Sequence, residues 1–196
     1  MNAVRSAACL PVGSVSDEAA RYLFQGQDVK LVYYKTIDQV FQAADAGETD
    51  WAVIPIENTI EGSVSLHMDW LVHEVDLPIR AEWVYPSLQN LIGRLEEFSD
   101  GQGSWDPAKV RKIFSHPVAM AQCHQFLRSR LPHVEKETLS STSESVQWVS
   151  KNPGNGWAAI GTKVAAEEFG LQVLEPGVMD HDNNYTRFLL VGRTPF

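Results

Sequence analysis

Along the first half of the chain, short apolar runs typical of strands alternate with amphipathic runs typical of helices. Three compact apolar runs predict strands: 3–10, 29–34 and 51–56. Two amphipathic runs, each begun by a hydroxyl residue and ended by glycine, predict helices: Ser16 to Gly26 and Thr36 to Gly47. A loop, a third helix and a section of extended chain are predicted next: 57–65, 65–74 and 79–94.

The second half repeats this alternation after a polar stretch, EEFSDGQGSWDPA at 96–108, which predicts a long loop. Five further strands are predicted: 110–114, 134–139, 157–161, 171–176 and 186–192. Three further helices are predicted: 117–131 with Pro117 at its first position, a run begun by the capping box of Ser141 and Glu144, and 162–169 closed by Gly170.

Alternating strands and helices are typical of α/β folds. They form two series, roughly 1–80 and 85–177, followed by a last strand. We therefore expect an α/β protein of two lobes with a binding cleft between them. The first lobe is predicted to comprise 1–80 plus 178–196, and the second 81–177.

Composition and charge narrow the possible functions. Hydrophobic residues make up 44% of the 196 positions, enough for a packed core, and 16 Lys and Arg against 25 Asp and Glu give a net charge of −9. An acidic surface argues against nucleic-acid or anionic-membrane partners, and no apolar run approaches the length of a membrane span. Cys9 and Cys123 have no redox or metal spacing, and His67 and His73 do not share a helix face. We expect a cytoplasmic protein with free thiols and no metal site.

Polar residues follow most of the predicted strands at their carboxyl ends, which is where open α/β sheets bind ligands. Those with hydroxyl, amide, imidazole or carboxylate groups are Ser14, Glu57, Asn58, Thr59, Ser115, His116, Ser141, Thr142 and Thr162. Taken singly, each hydroxyl is most simply interpreted as the N-cap of a helix. Taken together, they indicate a binding site for a small anion, because helix N-termini offer unpaired backbone amides. No dinucleotide or P-loop motif is present.

Arg187 stands beside Thr186 where the final strand begins, in NNYTRFLLVG at 183–192. Arg is rarely buried without a partner, and no Asp or Glu follows Asp182 in the chain. Two alternatives stay open: Arg187 pairs with an acid elsewhere in the fold, or it pairs with an acid of the ligand.

Four blocks carry a resemblance to a known family. They are VIPIENTIEGSV at 53–64, SHPVAMAQC at 115–123, AAIGTKVAA at 158–166 and NYTRF at 184–188. In this order they resemble prephenate dehydratase, and the resemblance runs from about Pro11 to Gly192. It implies a fold like that of type 2 periplasmic binding proteins, with the active site in the interlobe cleft.

The resemblance also implies a reaction. Prephenate, a dianion with two carboxylates, would lose CO₂ and water to give phenylpyruvate in L-phenylalanine biosynthesis, with neither metal nor organic cofactor. Thr186 is implied to be catalytic, with its hydroxyl at the departing OH. Glu57 is a possible proton donor if burial raises its pKa. Asn58 and Gln122 are implied to act beside them. The implied substrate-binding residues are Ser14, Thr59, Ser115, His116, Ser141, Thr142, Thr162 and Arg187.

The chain departs from the family pattern at three places. Leu10 replaces a glycine of the usual Gly-Pro-x-Gly-Thr, Val118 replaces Gln after His-Pro, and Ser143-Glu144 replace small residues. These changes affect expected affinity more than activity. Because Glu144 adds an acid, arogenate, with an amino group where prephenate has a keto group, is an alternative substrate. A non-catalytic anion-binding or sensing protein is the alternative from another class.

Relatives usually carry a C-terminal ACT domain that binds phenylalanine, and the chain stops four residues after Gly192. We therefore expect no ACT domain in this chain, either as a piece of a longer protein or as a naturally unregulated form. The resemblance further implies a homodimer or homotetramer.

Overall fold

The computed structural model describes residues 4–102 and 104–196, which form two compact units. The first comprises the chain up to Pro11, then Val15–Ser87 and Asn183–Phe196, and the second comprises Val12–Ser14 and Leu88–Asp182. The boundaries therefore fall at 87 and 183 rather than at the expected 80 and 178. The reason is that strand Ile79–Pro86 pairs with strand Tyr185–Val191 and so belongs to the first unit.

The first unit is built on a mixed sheet of order β2-β1-β3-β11-β5, with β4 paired to β3. Its strands are β1 (Arg5–Cys9), β2 (Val29–Tyr33), β3 (Trp51–Asn58), β4 (Gly62–Ser63), β5 (Ile79–Pro86) and β11 (Tyr185–Val191). Its helices are α1 (Val15–Leu23), α2 (Ile37–Asp45) and α3 (Ser65–Asp69), which continues as a π-helical turn (Trp70–Glu74). β1, β2 and β3 are parallel, and β11 runs antiparallel to β3 and β5.

Both faces of this sheet are buried by helices, which explains why its central strands are apolar throughout. Phe188 and Leu190 of β11 pack with Val53 on the face covered by α1. Leu189 packs with Ile54 on the opposite face, which α2 covers. Each of these side chains contributes about 1.5–3 kcal/mol by its burial. The predicted strand 51–56 is thus confirmed.

The second unit is built on a five-stranded sheet of order β10-β6-β9-β7-β8. Its strands are β6 (Asn90–Gly93), β7 (Lys112–Ser115), β8 (Glu135–Thr138), β9 (Trp157–Gly161) and β10 (Gln172–Glu175). Its helices are α4 (Leu95–Phe98), a 3₁₀ turn (Pro107–Lys109), α5 (Pro117–Gln122), α6 (His124–Arg130), α7 (Thr142–Lys151) and α8 (Lys163–Glu168). β7, β8 and β9 are parallel, whereas β6 is antiparallel to both of its neighbours.

Residues 12–14 belong to the second unit because Gly13 fits closely against its helices. Gly13 has φ +79°, and a Cβ there would lie 2.8 Å from the Cβ of Ala165. Its carbonyl accepts a hydrogen bond of 2.6 Å from the hydroxyl of Thr162. Positive φ and this close approach both require glycine at position 13.

Several predicted segments differ from the structure. The helix expected over 117–131 is two helices, because the backbone at Cys123 (φ −113°, ψ 21°) leaves helical geometry. The loop expected over 96–108 is packed in part, since Phe98 and Trp105 are buried in the second unit's core. Gly103 of that loop, and residue 3 of the first predicted strand, lie outside the described residues.

Candidate active site

A β-bulge in β3 decides which side chains of the first unit meet. Phe188 lies opposite Pro55, whereas Arg187 lies opposite Glu57, so Ile56 is an extra residue in β3. Without the bulge, the alternation of β3 would place Glu57 on the face of Val53 and Pro55. The extra residue instead turns Asn58 to that face, opposite Thr186.

Thr186 lies within a group of hydrogen-bonding side chains on this face. The Nδ2 of Asn58 donates to its Oγ1 at 2.9 Å, and the Oγ of Ser87 lies 2.6 Å from the same atom. Thr186 is 8% exposed and Ser87 is 5% exposed. The Thr186 hydroxyl is therefore held from two sides in a largely dry environment, where hydrogen bonds are stronger than in water.

The orientation of the Asn58 amide follows from its partners. Its Oδ1 faces the backbone N–H groups of Ile60 at 2.9 Å and Glu61 at 3.1 Å, so this atom must be the acceptor. Its Nδ2 therefore points to Thr186, and it also faces the Oδ1 of Asn184 at 2.7 Å and the carbonyl of Tyr185 at 3.1 Å. The turn after β3 thus fixes Asn58 as a hydrogen-bond donor to Thr186.

The acid partners of Arg187 lie elsewhere in the protein's own fold and not in a ligand. Its Nε lies 3.5 Å from a carboxylate oxygen of Glu57 and 3.3 Å from one of Glu82. Because successive residues of a strand face opposite sides, Arg187 points away from the face that Thr186 occupies. A substrate-binding role was predicted for Arg187 because it lacked a local acid partner, and these two ion pairs remove that reason.

Glu57 does not meet the condition set for a proton donor. Its side chain is 48% exposed and is paired with Arg187. The expected role required a buried carboxyl, and the structure shows half-exposure instead. The bulge that turns Asn58 toward Thr186 is also what turns Glu57 to the opposite face.

Thr59 connects two segments of the first unit. Its hydroxyl donates to the carbonyl of Asn183 at 2.5 Å and accepts from the N–H of Tyr185 at 2.9 Å. Both hydrogen bonds tie the turn after β3 to the start of β11. This hydroxyl was predicted to bind substrate, and the structure gives it a structural role.

In the second unit, two predicted substrate-binding hydroxyls are completely buried. Ser115 donates to the carbonyl of Ile160 at 3.0 Å. Thr162 donates to Gly13 and accepts from the N–H of Ala165 at 3.0 Å, as the N-cap of α8. Because neither side chain has exposed surface, the expectation that both contact substrate is corrected: both hydroxyls hydrogen-bond to the backbone at the ends of β7 and β9.

The predicted cap of α7 is confirmed, and His116 caps α5. His116 accepts through Nδ1 from Val118 at 3.3 Å, and Ser141 accepts from the N–H of Glu144 at 3.0 Å. The carboxylate of Glu144 in turn accepts from the N–H of Ser140 at 3.0 Å and from its hydroxyl. Glu144 is thus engaged within its own helix turn, which removes the reason for favouring arogenate.

Ser14, Thr142, His116 and Gln122 remain as partly exposed polar side chains of the second unit. Ser14 belongs to the turn that Gly13 holds against α8, Thr142 begins α7, and Gln122 ends α5. They stay predictions for substrate contact.

Ser87 and Asn184 were not predicted as site residues from the sequence. Ser87 directly follows β5, so it carries the same signal as the other polar residues at carboxyl ends of strands, but the end of that strand was not recognised within 79–94. Asn184 is 2% exposed and belongs to the NYTRF block, in which only Thr186 and Arg187 were given roles.

Two kinds of feature are absent from the described residues. Within 4–102 and 104–196, no helix is both long and apolar enough to cross a bilayer. In the same residues, no three His, Cys, Asp or Glu side chains are grouped so that they could hold a metal ion.

Comparison with known proteins decides the family. The family model described as prephenate dehydratase matches residues 9–195, which is nearly all of the chain. This chain belongs to the prephenate dehydratase family. The prephenate dehydratase of Bacillus subtilis (strain 168) is 37% identical over 181 residues, covering 92% of this chain and 61% of that protein. The chain thus spans about three fifths of the length of this curated relative.

Solved structures agree with the fold. A prephenate dehydratase from Arthrobacter aurescens, in complex with L-Phe, has a TM-score of 0.83 and 27% identity over 98% of this chain and 61% of its own. GqqA, described as a novel type of quorum quenching acylase, has a TM-score of 0.81 and 27% identity over 98% of this chain and 65% of its own. Membership of the prephenate dehydratase family thus agrees with the predicted fold class, α/β and like type 2 periplasmic binding proteins.

Proposed function

We propose that this chain catalyses the decarboxylative dehydration of prephenate to phenylpyruvate. The observation that carries the proposal is the Thr186 hydroxyl, held by Asn58 at 2.9 Å and Ser87 at 2.6 Å. It lies within the stretch that the prephenate dehydratase family model matches. Such a group suits a reaction whose main requirement is a hydrogen-bond donor at a departing hydroxyl.

The chemistry needs little else from the protein. Breaking the bond between the ring and its carboxylate releases CO₂, and the electron pair moves through the ring diene to expel the ring hydroxyl. The departing oxygen takes up one proton and leaves as water, while the ring becomes aromatic. Help at that oxygen by a positioned donor is typically worth about 10²–10⁴-fold in rate.

In this proposal Thr186 donates a hydrogen bond to the departing oxygen. A threonine hydroxyl is too weak an acid to give up its proton permanently, so it stabilises the developing charge and relays a proton that solvent supplies. Asn58 is proposed to hold Thr186 in place through the amide that the β3 bulge directs at it. Glu57 is not proposed as the source of the proton, because it is half-exposed and paired with Arg187.

The two carboxylates of prephenate need donors of their own. We propose that some of them come from the predicted contact residues that keep exposed surface: Ser14, Thr142, His116 and Gln122. The N-terminus of α7, where Thr142 stands, adds the positive end of a helix dipole. None of these four residues is an Asp, Glu, Lys or Arg, so affinity would depend on hydrogen-bond geometry more than on net charge.

The test is an assay of the wild-type chain with prephenate and, separately, with arogenate. We expect phenylpyruvate from prephenate well above the spontaneous rate of a protein-free sample at the same pH, and little phenylalanine from arogenate. Faster turnover of arogenate would overturn the choice of substrate. Binding of prephenate without turnover would favour a sensing protein.

We also propose that the chain forms a homodimer or homotetramer and works in the cytoplasm. Membership of the prephenate dehydratase family is the support for both statements. Light scattering on the purified chain measures the oligomeric state directly, and a monomer at micromolar concentration would contradict the proposed homodimer or homotetramer.

A further inference from the structure

Ser87 and Thr186 form a close pair of buried hydroxyls. Their oxygens lie 2.6 Å apart, at 5% and 8% exposure, and either could be the donor. Among the described residues, the Ser87 hydroxyl has no hydrogen bond other than this one. Because this single partner is the proposed catalytic hydroxyl, the direction of the hydrogen bond decides where the Thr186 proton points.

The strand pairing places Ser87 there. Thr186 lies opposite Tyr85 in the β5–β11 ladder, and the N–H of Ser87 donates to the carbonyl of Asn184 at 2.9 Å, one step beyond the last rung. Because residues two apart on a strand share a face, Ser87, Tyr85, Asn184 and Thr186 all lie on one side. The position of Ser87 is thus fixed by backbone hydrogen bonds, before its side chain is considered.

The direction of the bond follows from counting protons and lone pairs. A threonine hydroxyl has one proton to donate and two lone pairs that accept. Asn58 is a donor to Thr186 and fills one lone pair. If Ser87 accepted, it would take the only proton of Thr186, and no donor would remain for a substrate. If Ser87 donates, it fills the second lone pair, and the Thr186 proton is free to point at a ligand.

We propose that Ser87 is a positioning residue that donates to Thr186 and thereby directs the Thr186 proton toward the departing hydroxyl of the substrate. This inference rests on the proposed function. Two donors on one oxygen also polarise its O–H bond, because hydrogen bonds in a chain strengthen one another. Ser87 itself touches neither the substrate nor the reacting atoms, so its removal should change the rate and leave binding alone.

The test compares Ser87→Ala with a matched loss of a buried hydroxyl elsewhere in the same unit. Thr49 is 4% exposed, and its hydroxyl donates to the backbone carbonyl of Trp51 at 3.0 Å, at the opposite end of β3 from Asn58. Thr49→Val removes that hydroxyl and keeps the side-chain volume. For each variant of the 196-residue chain, kcat and KM with prephenate are measured, together with Tm.

We expect Ser87→Ala to lower kcat about tenfold, the value of one net hydrogen bond, with KM within about twofold. Thr49→Val should lower Tm about as much as Ser87→Ala does, and it should keep the wild-type kcat. An unchanged kcat in Ser87→Ala, an equal kcat loss in Thr49→Val, or an effect mainly on KM would overturn the positioning role. Wild-type protein without turnover would overturn the proposed function as well, whereas active wild type with an unaffected Ser87→Ala would overturn this inference alone.

Discussion

The side-chain amide of Asn58 donates a 2.9 Å hydrogen bond to the hydroxyl of Thr186, across 128 positions of sequence. The contact exists because Ile56 is an extra residue in β3, which reverses the faces of the two residues after it. One insertion in a strand therefore sorts four polar side chains into two pairs. Asn58 meets Thr186 on one face, and Glu57 meets Arg187 on the other.

Asn58→Asp tests whether the amide acts as a donor. The aspartate keeps the oxygen that accepts from Ile60 and Glu61, so the turn should persist. It cannot donate to Thr186, and its carboxylate would attract the Thr186 proton away from the substrate. We expect kcat to fall about 10²-fold, as for other lost donors at developing charge, with a near-unchanged circular dichroism spectrum. A kcat within a fewfold of wild type would show that the amide has no part in catalysis.

Arg187→Gln tests the assignment of this arginine to its two glutamates. The side chain is 47% exposed, and exposed ion pairs are worth about 0–1 kcal/mol, so Tm should change little. Since Arg187 faces away from Thr186, we expect KM for prephenate to stay within about fivefold of wild type. A much larger rise in KM at unchanged Tm would show that Arg187 leaves Glu57 and Glu82 to bind a substrate carboxylate, as the sequence suggested.

Thr162→Val tests the structural role given to a hydroxyl that the sequence assigned to substrate. Thr162 is fully buried and joins the α8 N-cap to the carbonyl of Gly13. Loss of both hydrogen bonds should cost about 1–2 kcal/mol of unfolding free energy, measured by urea denaturation. A raised KM with unchanged stability would mean that the hydroxyl contacts the substrate after all.

Cys123 gives a prediction for alkaline pH. Burial, with a smaller contribution from Asp180, raises the pKa of its thiol from 9.0 to about 12. The folded state therefore favours the protonated thiol: this contribution to stability is complete below pH 9 and is lost between about pH 9 and 12, at about 1.4 kcal/mol per unit. Relative to Cys123→Ala, the wild type should lose about 2 kcal/mol between pH 8 and pH 10.5 in urea titrations. A difference that does not depend on pH would contradict this.

Much of the fold could be predicted because its signals are local. The continuous apolar run at 51–56 identifies a strand buried on both faces, and Ser141 and Thr162 cap the helices that they were predicted to begin. These features depend on residues within one turn or one strand. Segments whose structure depends on distant packing were missed, such as Phe98 and Trp105, which are buried inside a predicted loop.

The site was predicted less completely, for a physical reason. Strand register is a long-range property, and a one-residue slip exchanges the faces of every side chain. The one local signal is Pro55, since proline inside a paired strand favours a bulge, but it does not fix the register against a distant strand. Glu57 and Asn58 were therefore both expected beside Thr186. The pairing of Ser87 with Thr186 likewise requires the β5–β11 ladder, which joins positions 99 residues apart.

The proposed mechanism depends on the Thr186 hydroxyl, and removal of this hydroxyl is the most direct test. Thr186→Ala and Thr186→Ser are compared with wild type in a prephenate assay from which the spontaneous rate is subtracted, after thermal unfolding shows that each variant is folded. We predict a loss of about 10²–10⁴-fold in kcat for Thr186→Ala and a much smaller loss for Thr186→Ser, which keeps the hydroxyl. A folded Thr186→Ala protein that turns over prephenate at the wild-type rate would contradict the account.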